Sequence, residues 1–183
     1  MPDWSLDDAL RMYSVAHWSD GYVGIDAHGR AEMRPRGEGG PAIALDEAIA
    51  RAKELGARLP LLLRFPDILL DRRAKLRAAF VEAMRERDYR GGYTALYPIK
   101  VNQQRAVAGT LAGGEGFGLE AGSKPELLAV LGLAQPGMTV VCNGYKDAEY
   151  IKLALIGRKL GLDVIVVIEK PSELEHVIEQ SRA

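Results

Sequence analysis

The sequence predicts an α/β protein built on a parallel sheet, and three observations carry that expectation. Short apolar runs rich in β-branched residues, such as "MTVVC" (Met138 to Cys142) and "DVIVVIE" (Asp163 to Glu169), alternate with stretches whose apolar residues recur at helical spacing. The runs follow one another at roughly 20 to 35 residues, room for a right-handed helical crossover between parallel strands. Polar side chains collect at the C-terminal ends of the runs: Lys100 and Asn102, Glu120 and Ser123, Asn143 and Tyr145, and Glu169. In an open doubly wound sheet and in a barrel alike, that is the end where functional groups gather.

The elements follow in order. Ser5, with Asp8 three positions on, starts a short helix. "YSVAHW", "YVGID" and "RAEMR" then read as short strands separated by turns at Asp20-Gly21 and "AHG". A Gly/Pro-rich joint, "RPRGEGGP" (Arg34 to Pro41), sets residues 1–40 apart as a β-rich segment from the body, 41–183. Leu45, Ile49, Ala52 and Leu55 mark a helix that Gly56 stops. "LPLLLRF" (Leu59 to Phe65) reads as a short buried strand. Pro66 suits the first turn of a helix with the stripe Leu69, Leu76, Phe80 and Met84, ending at Gly91-Gly92. Strand "YTALYPIKV", a helix from Gln103, strand "FGLEA", helix "KPELLAVLGL", strand "MTVVC", helix "DAEYIKLALIGRKL" and strand "DVIVVIE" complete the body. A last helix opens at Ser172 with Glu175 as its capping-box partner. The count is five parallel strands.

Bulk properties narrow the function classes. The 183 residues suit one domain or one with a small addition, and 48% hydrophobic with 27% charged residues is ordinary globular composition. A net charge of -1 gives no electrostatic case for nucleic acid or an anionic membrane, and no apolar run is long enough to span a bilayer. The acidic start "MPDWSLDDALRM" lacks the features of an export signal, and one cysteine, Cys142, forms no intramolecular disulfide, so a cytoplasmic setting is expected. His17, His28 and His176 are scattered without metal-ligand spacing. "GFGLEA" matches a dinucleotide fingerprint but precedes a strand instead of following one, and no P-loop or nucleophile elbow is present. The arginine-rich stretch Asp71 to Arg90 alternates in charge around an apolar stripe, which describes a solvated helix face.

Lys100 stands apart from these. It closes a long apolar strand, shares a face with Leu96 and Pro98 in strand alternation, and precedes the polar Asn102. A lysine at the mouth of a closed apolar site loses hydration, which disfavours the ammonium and frees a nucleophilic amine of the kind a Schiff base needs. A surface lysine at a strand end is the plain alternative.

"YPIKVNQ" (Tyr97 to Gln103), "GLEAGSKPEL" (Gly118 to Leu127), "VCNGYKD" (Val141 to Asp147), "YIKLALIG" and "VIEK" resemble, in order and spacing, the biosynthetic arginine decarboxylases. "RLPLLLRFPDILLDR" and "YSVAHWSDGYVGID" fit the same family, so the resemblance covers nearly the whole chain. It implies a (β/α)8 barrel of the alanine-racemase-like type, here about five of eight βα units, with residues 1–40 belonging to a second, β domain. It implies pyridoxal 5'-phosphate bound as a Schiff base to Lys100, with Glu120, Ser123 and Glu126 around the cofactor, and decarboxylation of L-arginine to agmatine, a polyamine precursor. Magnesium and a homo-oligomeric full-length protein are further implications, without a metal site in the sequence. The phosphate-binding loop, the acidic partner of the pyridine nitrogen and the guanidinium-recognition residues of the family would lie beyond Ala183. This points to an N-terminal portion with little activity alone; a barrel stopped after five strands leaves two open edges, so such a chain is expected to aggregate, associate with itself or need the rest of the protein. An ornithine or diaminopimelate decarboxylase, a non-catalytic pyridoxal-phosphate barrel and a fragment that binds no cofactor are the competing readings.

Overall fold

The structure, a computed structural model, describes residues 5–182. Met1 to Trp4 of the expected non-signal start lie outside the described residues. The chain divides into two compact units, Met1–Arg72 and Arg73–Ala183.

In the first unit, α1 (Leu6–Met12) opens on the expected capping box: Ser5 accepts from the Asp8 amide and Asp8 returns the bond. The segment expected as strand "YSVAHW" is instead a helix, α2 (Val15–Ser19). Its two buried residues, Val15 and Ser19, are four apart, the helical and not the strand period, and this outweighs the β-branched and aromatic composition. β1 (Val23–Ile25), β2 (Ala31–Met33) and β3 (Ile43–Ala44) form an antiparallel sheet in that order. α3 (Leu45–Glu54) ends as expected, with Gly56 at φ +88.

"LPLLLRF" forms no strand. Leu59 and Leu62 are exposed, and Pro60 lacks the amide a ladder needs. The next strand expected, here Ala95–Pro98, pairs only with Phe117–Ala121, so the parallel sheet has four strands among the described residues where five were expected. α4 (Pro66–Glu86) starts at the expected proline but stops before Gly91-Gly92. Asp88 takes a left-handed conformation and the Tyr89 amide turns back to the Met84 carbonyl at 2.9 Å, which ends the helix. Nothing on α4 is fully buried, although Phe80 of its stripe stacks on Tyr93 with ring centroids 4.1 Å apart.

The second unit is built on β4 (Ala95–Pro98), β5 (Phe117–Ala121), β6 (Thr139–Cys142) and β7 (Asp163–Val166), all parallel and adjacent in chain order. Between and after them run α5 (Arg105–Ala112), α6 (Lys124–Leu131), α7 (Ala148–Lys159) and α8 (Pro171–Arg182). α8 opens on Pro171, one residue before the expected Ser172 start. The Glu173 carboxylate takes the amides ahead of it, Glu169 at 2.8 Å and Lys170 at 3.4 Å, in place of the expected Ser172–Glu175 box.

Strand order and burial choose between the two parallel architectures. The order never reverses, so the sheet has no topological switch point. Tyr97, Leu119, Val140 and Val164 stand in one cross-strand row. That row packs with Ala108, Leu127, Val130, Tyr150 and Ile151 from α5, α6 and α7 into the core. The alternate row, Pro98, Glu120, Val141 and Ile165, faces the other side of the sheet, where Leu96 and Ile165 are exposed. Helices on one face and an unreversed strand order describe an arc of a (β/α) barrel, whose inner face is the one left open.

Candidate cofactor site

The C-terminal ends of the four parallel strands bring the expected polar residues to one edge of this arc. After Pro98 the chain leaves extended geometry and makes a single 3-10 turn, Ile99–Val101. The turn buries Ile99 fully in the core and puts Lys100 in solvent. The expected strand alternation of Lys100 with Leu96 and Pro98 therefore stops at Pro98, and the desolvation argued for its amine is not provided by the described residues. The turn is fastened by the Tyr97 hydroxyl, which donates to the Asn102 carbonyl at 3.2 Å, and by Asn102 Oδ1, which accepts from the Gln104 amide at 3.0 Å.

On the next strand, Glu120 is the register partner of Pro98, so its half-buried carboxylate projects on the same inner face. Asn143, at the end of β6, approaches Glu120 Oε2 with its side-chain amide at 3.5 Å, while its backbone amide donates to the Ala121 carbonyl at 2.9 Å. Ser123 is the N-cap of α6 and accepts from the Glu126 amide at 3.4 Å. Glu126 reaches back so that Oε2 accepts from the Gly122 amide at 2.8 Å. Thus Ser123 and Glu126 fold the β5–α6 turn on itself, and Glu120 alone of the three carries its carboxylate on the sheet's inner face. The Tyr150 hydroxyl anchors the turn from below by donating to the Ala121 carbonyl at 2.7 Å; burial pushes that phenol well above its usual pKa.

Two further lysines at this edge are held in ion pairs, and neither was singled out in the sequence. Lys124 pairs with Asp147 at 2.7 Å and Glu149 at 2.8 Å, joining the starts of α6 and α7. The Lys124 ammonium holds the Asp147 carboxyl below its ordinary range. Lys146 has a side chain 0% exposed; it donates to the Gly144 carbonyl and lies 3.3 Å from Glu173 and 3.6 Å from Glu169. The signal for it was the acidic "EKPSE" that follows the next strand, a pairing only the fold brings together. The Lys100 side chain, by contrast, makes no hydrogen bond or ion pair among the described residues.

A pyridoxal group needs an amine for its aldehyde carbon and cationic or amide donors for its phosphate. The uncommitted Lys100 amine, on the turn that follows β4, fits the first requirement. Lys124 and Lys146 are already neutralised by carboxylates, so they do not fit the second.

Residues 74–182, more than half of the chain, match the family described as "Pyridoxal-dependent decarboxylase, pyridoxal binding domain". The chain belongs to the pyridoxal-dependent decarboxylase family. Within it, the chain is 63% identical over its whole length to the biosynthetic arginine decarboxylase of Xanthomonas axonopodis pv. citri, of which it spans 29%. It is 52% identical over 98% of its length to that of Pseudomonas aeruginosa, spanning 28% of that protein. The crystal structure of the biosynthetic arginine decarboxylase from Campylobacter jejuni superposes with a TM-score of 0.83 at 32% identity, covering 93% of this chain and 28% of that one. The pyridoxal-dependent decarboxylase assignment agrees with the barrel arc read from strand order.

Proposed function

We propose that this chain is the cofactor-anchoring portion of an enzyme that removes the carboxylate of L-arginine as CO2 to give agmatine for polyamine synthesis. Lys100 is the amine that holds pyridoxal 5'-phosphate. The observation that carries the reading is the 63% identity to a biosynthetic arginine decarboxylase across 100% of this chain.

When bound, the cofactor supplies an electron sink for the pair left behind as CO2 departs. The chain's own residues hold and orient. Lys100 offers a free amine on a turn locked by Tyr97 and Asn102. Glu120 presents a carboxylate from the neighbouring strand, steadied by Asn143. Ser123 and Glu126 keep the β5–α6 turn closed.

Residues 1–40 belong, on the same reading, to the second domain of the complete enzyme, which is a cytoplasmic homo-oligomer. Magnesium is part of the reading only through family resemblance, since among the described residues no group of three His, Cys, Asp or Glu stands together to bind a metal. Among those residues no helix is long and apolar enough to cross a membrane.

The test is a protein carrying this segment at the length of its relatives, loaded with pyridoxal phosphate and offered carboxyl-labelled L-arginine, L-ornithine or diaminopimelate. Label released as CO2 from arginine in preference to the other two supports the reading. Preference for either of the others would move the substrate while leaving the cofactor assignment in place.

A further inference from the structure

Lys146 is the most deeply buried cation of the described chain and has no place in the chemistry above. A buried ammonium is retained only where charge and hydrogen bonds compensate its lost hydration. Glu173 does so at 3.3 Å, Glu169 at 3.6 Å, and the Gly144 carbonyl takes one of its protons.

The contacts have a direction. Glu173 is committed to the β7–α8 loop, where it accepts the Glu169 and Lys170 amides. Gly144 belongs to the β6–α7 loop, so Lys146 ties the two loops together at the C-terminal edge of the sheet. The residue before Gly144 is Asn143, whose side chain meets Glu120 and whose backbone meets Ala121. A carbonyl held by Lys146 fixes the peptide plane between Gly144 and Tyr145, which restricts the Gly144 backbone through which the loop continues from Asn143.

We propose that Lys146 is a positioning residue for the cofactor edge: by holding the Gly144 carbonyl and Glu173 together, it sets Asn143 against Glu120. This rests on the reading of that edge as the pyridoxal site, and a positioning role differs from a simple requirement for charge balance in the core. If Lys146 served only to neutralise Glu173, removing both charges would restore everything. If it positions Gly144, removing both would restore the fold but not the loop.

The experiment compares this chain with its Lys146→Met/Glu173→Gln double variant by thermal melting, amide hydrogen exchange at Asn143, and borohydride trapping of pyridoxal phosphate on Lys100. The expected result is a melting transition near that of the unaltered chain, with Asn143 exchange and Lys100 trapping each altered by about tenfold, the factor that corresponds to about 1.4 kcal/mol of lost loop stability. A double variant that melts, exchanges and traps like the unaltered chain would overturn the proposal. So would one that fails to fold, since the pair would then be a requirement of folding. Should the unaltered chain itself not be trapped on Lys100, the cofactor reading falls, and Asn143 exchange alone decides whether Lys146 places the loop.

Discussion

Gly144 packs directly on Gly122: a Cβ built on Gly144 would lie 1.9 Å from the Gly122 carbonyl oxygen. The obstacle is backbone, not a flexible side chain, so the loops after β5 and β6 touch at a point where only glycine fits. The contact sits between Glu126, which accepts the Gly122 amide, and Lys146, which donates to the Gly144 carbonyl.

Gly144→Ala is therefore expected to cost ~1–3 kcal/mol, as overpacking does, and to release Asn143 from Glu120. Gly109, within α5, has open space around it: a Cβ added there would meet nothing within 4 Å. Gly109→Ala is expected to stabilise by about 0.5–1 kcal/mol through helix propensity. Denaturant unfolding of the two variants checks the pair, which should move in opposite directions.

The core should discriminate packing from hydrogen bonding. Leu127 is 0% exposed and lies in the layer between α6 and the sheet. Leu127→Ala is expected to cost ~2–5 kcal/mol, transfer and cavity together. Tyr150→Phe removes a donor to the Ala121 carbonyl, but that oxygen keeps the Asn143 amide, so the loss should be about 1 kcal/mol. Unfolding midpoints measured at a common slope separate the two.

Acid should loosen the edge through Glu173. The Glu169 amide, and then the Lys146 ammonium and Lys170 amide, hold its carboxyl below the ordinary 4.5. A carboxyl with a depressed folded-state pKa adds stability above its unfolded value, and that contribution is lost as pH falls through the folded value. The unaltered chain should thus melt above Glu173→Gln at neutral pH, with the gap closing only below the ordinary carboxylate range. A gap independent of pH would show that ionised Glu173 contributes nothing.

Sequence reading reached the elements whose pattern is local. β5, β6, β7, α6 and α7 are where the alternation put them, because each strand buries one row against helices of matching period. It failed where a partner was needed. "LPLLLRF" has strand composition but no strand beside it, and α2, which replaces the strand expected at "YSVAHW", buries Val15 and Ser19 at a helical interval that composition hides. At the site, Lys100, Glu120 and Ser123 were legible as polar residues ending strands, and Glu126 only through the family resemblance. Lys146 was not, because its burial depends on Glu173, 27 residues further along the sequence, and on a loop geometry that only the folded sheet supplies.

The most direct test of the central claim is to incubate the chain with pyridoxal phosphate, reduce with borohydride and map the modified peptide. The expected outcome is a single label on Lys100, absent in Lys100→Ala: Lys124 and Lys146 at the strand ends are engaged by carboxylates, and the exposed Lys170 follows β7, at the opposite end of the strand order from β4. Labels scattered over surface lysines, or none at Lys100, would contradict the claim that this turn presents the cofactor's amine.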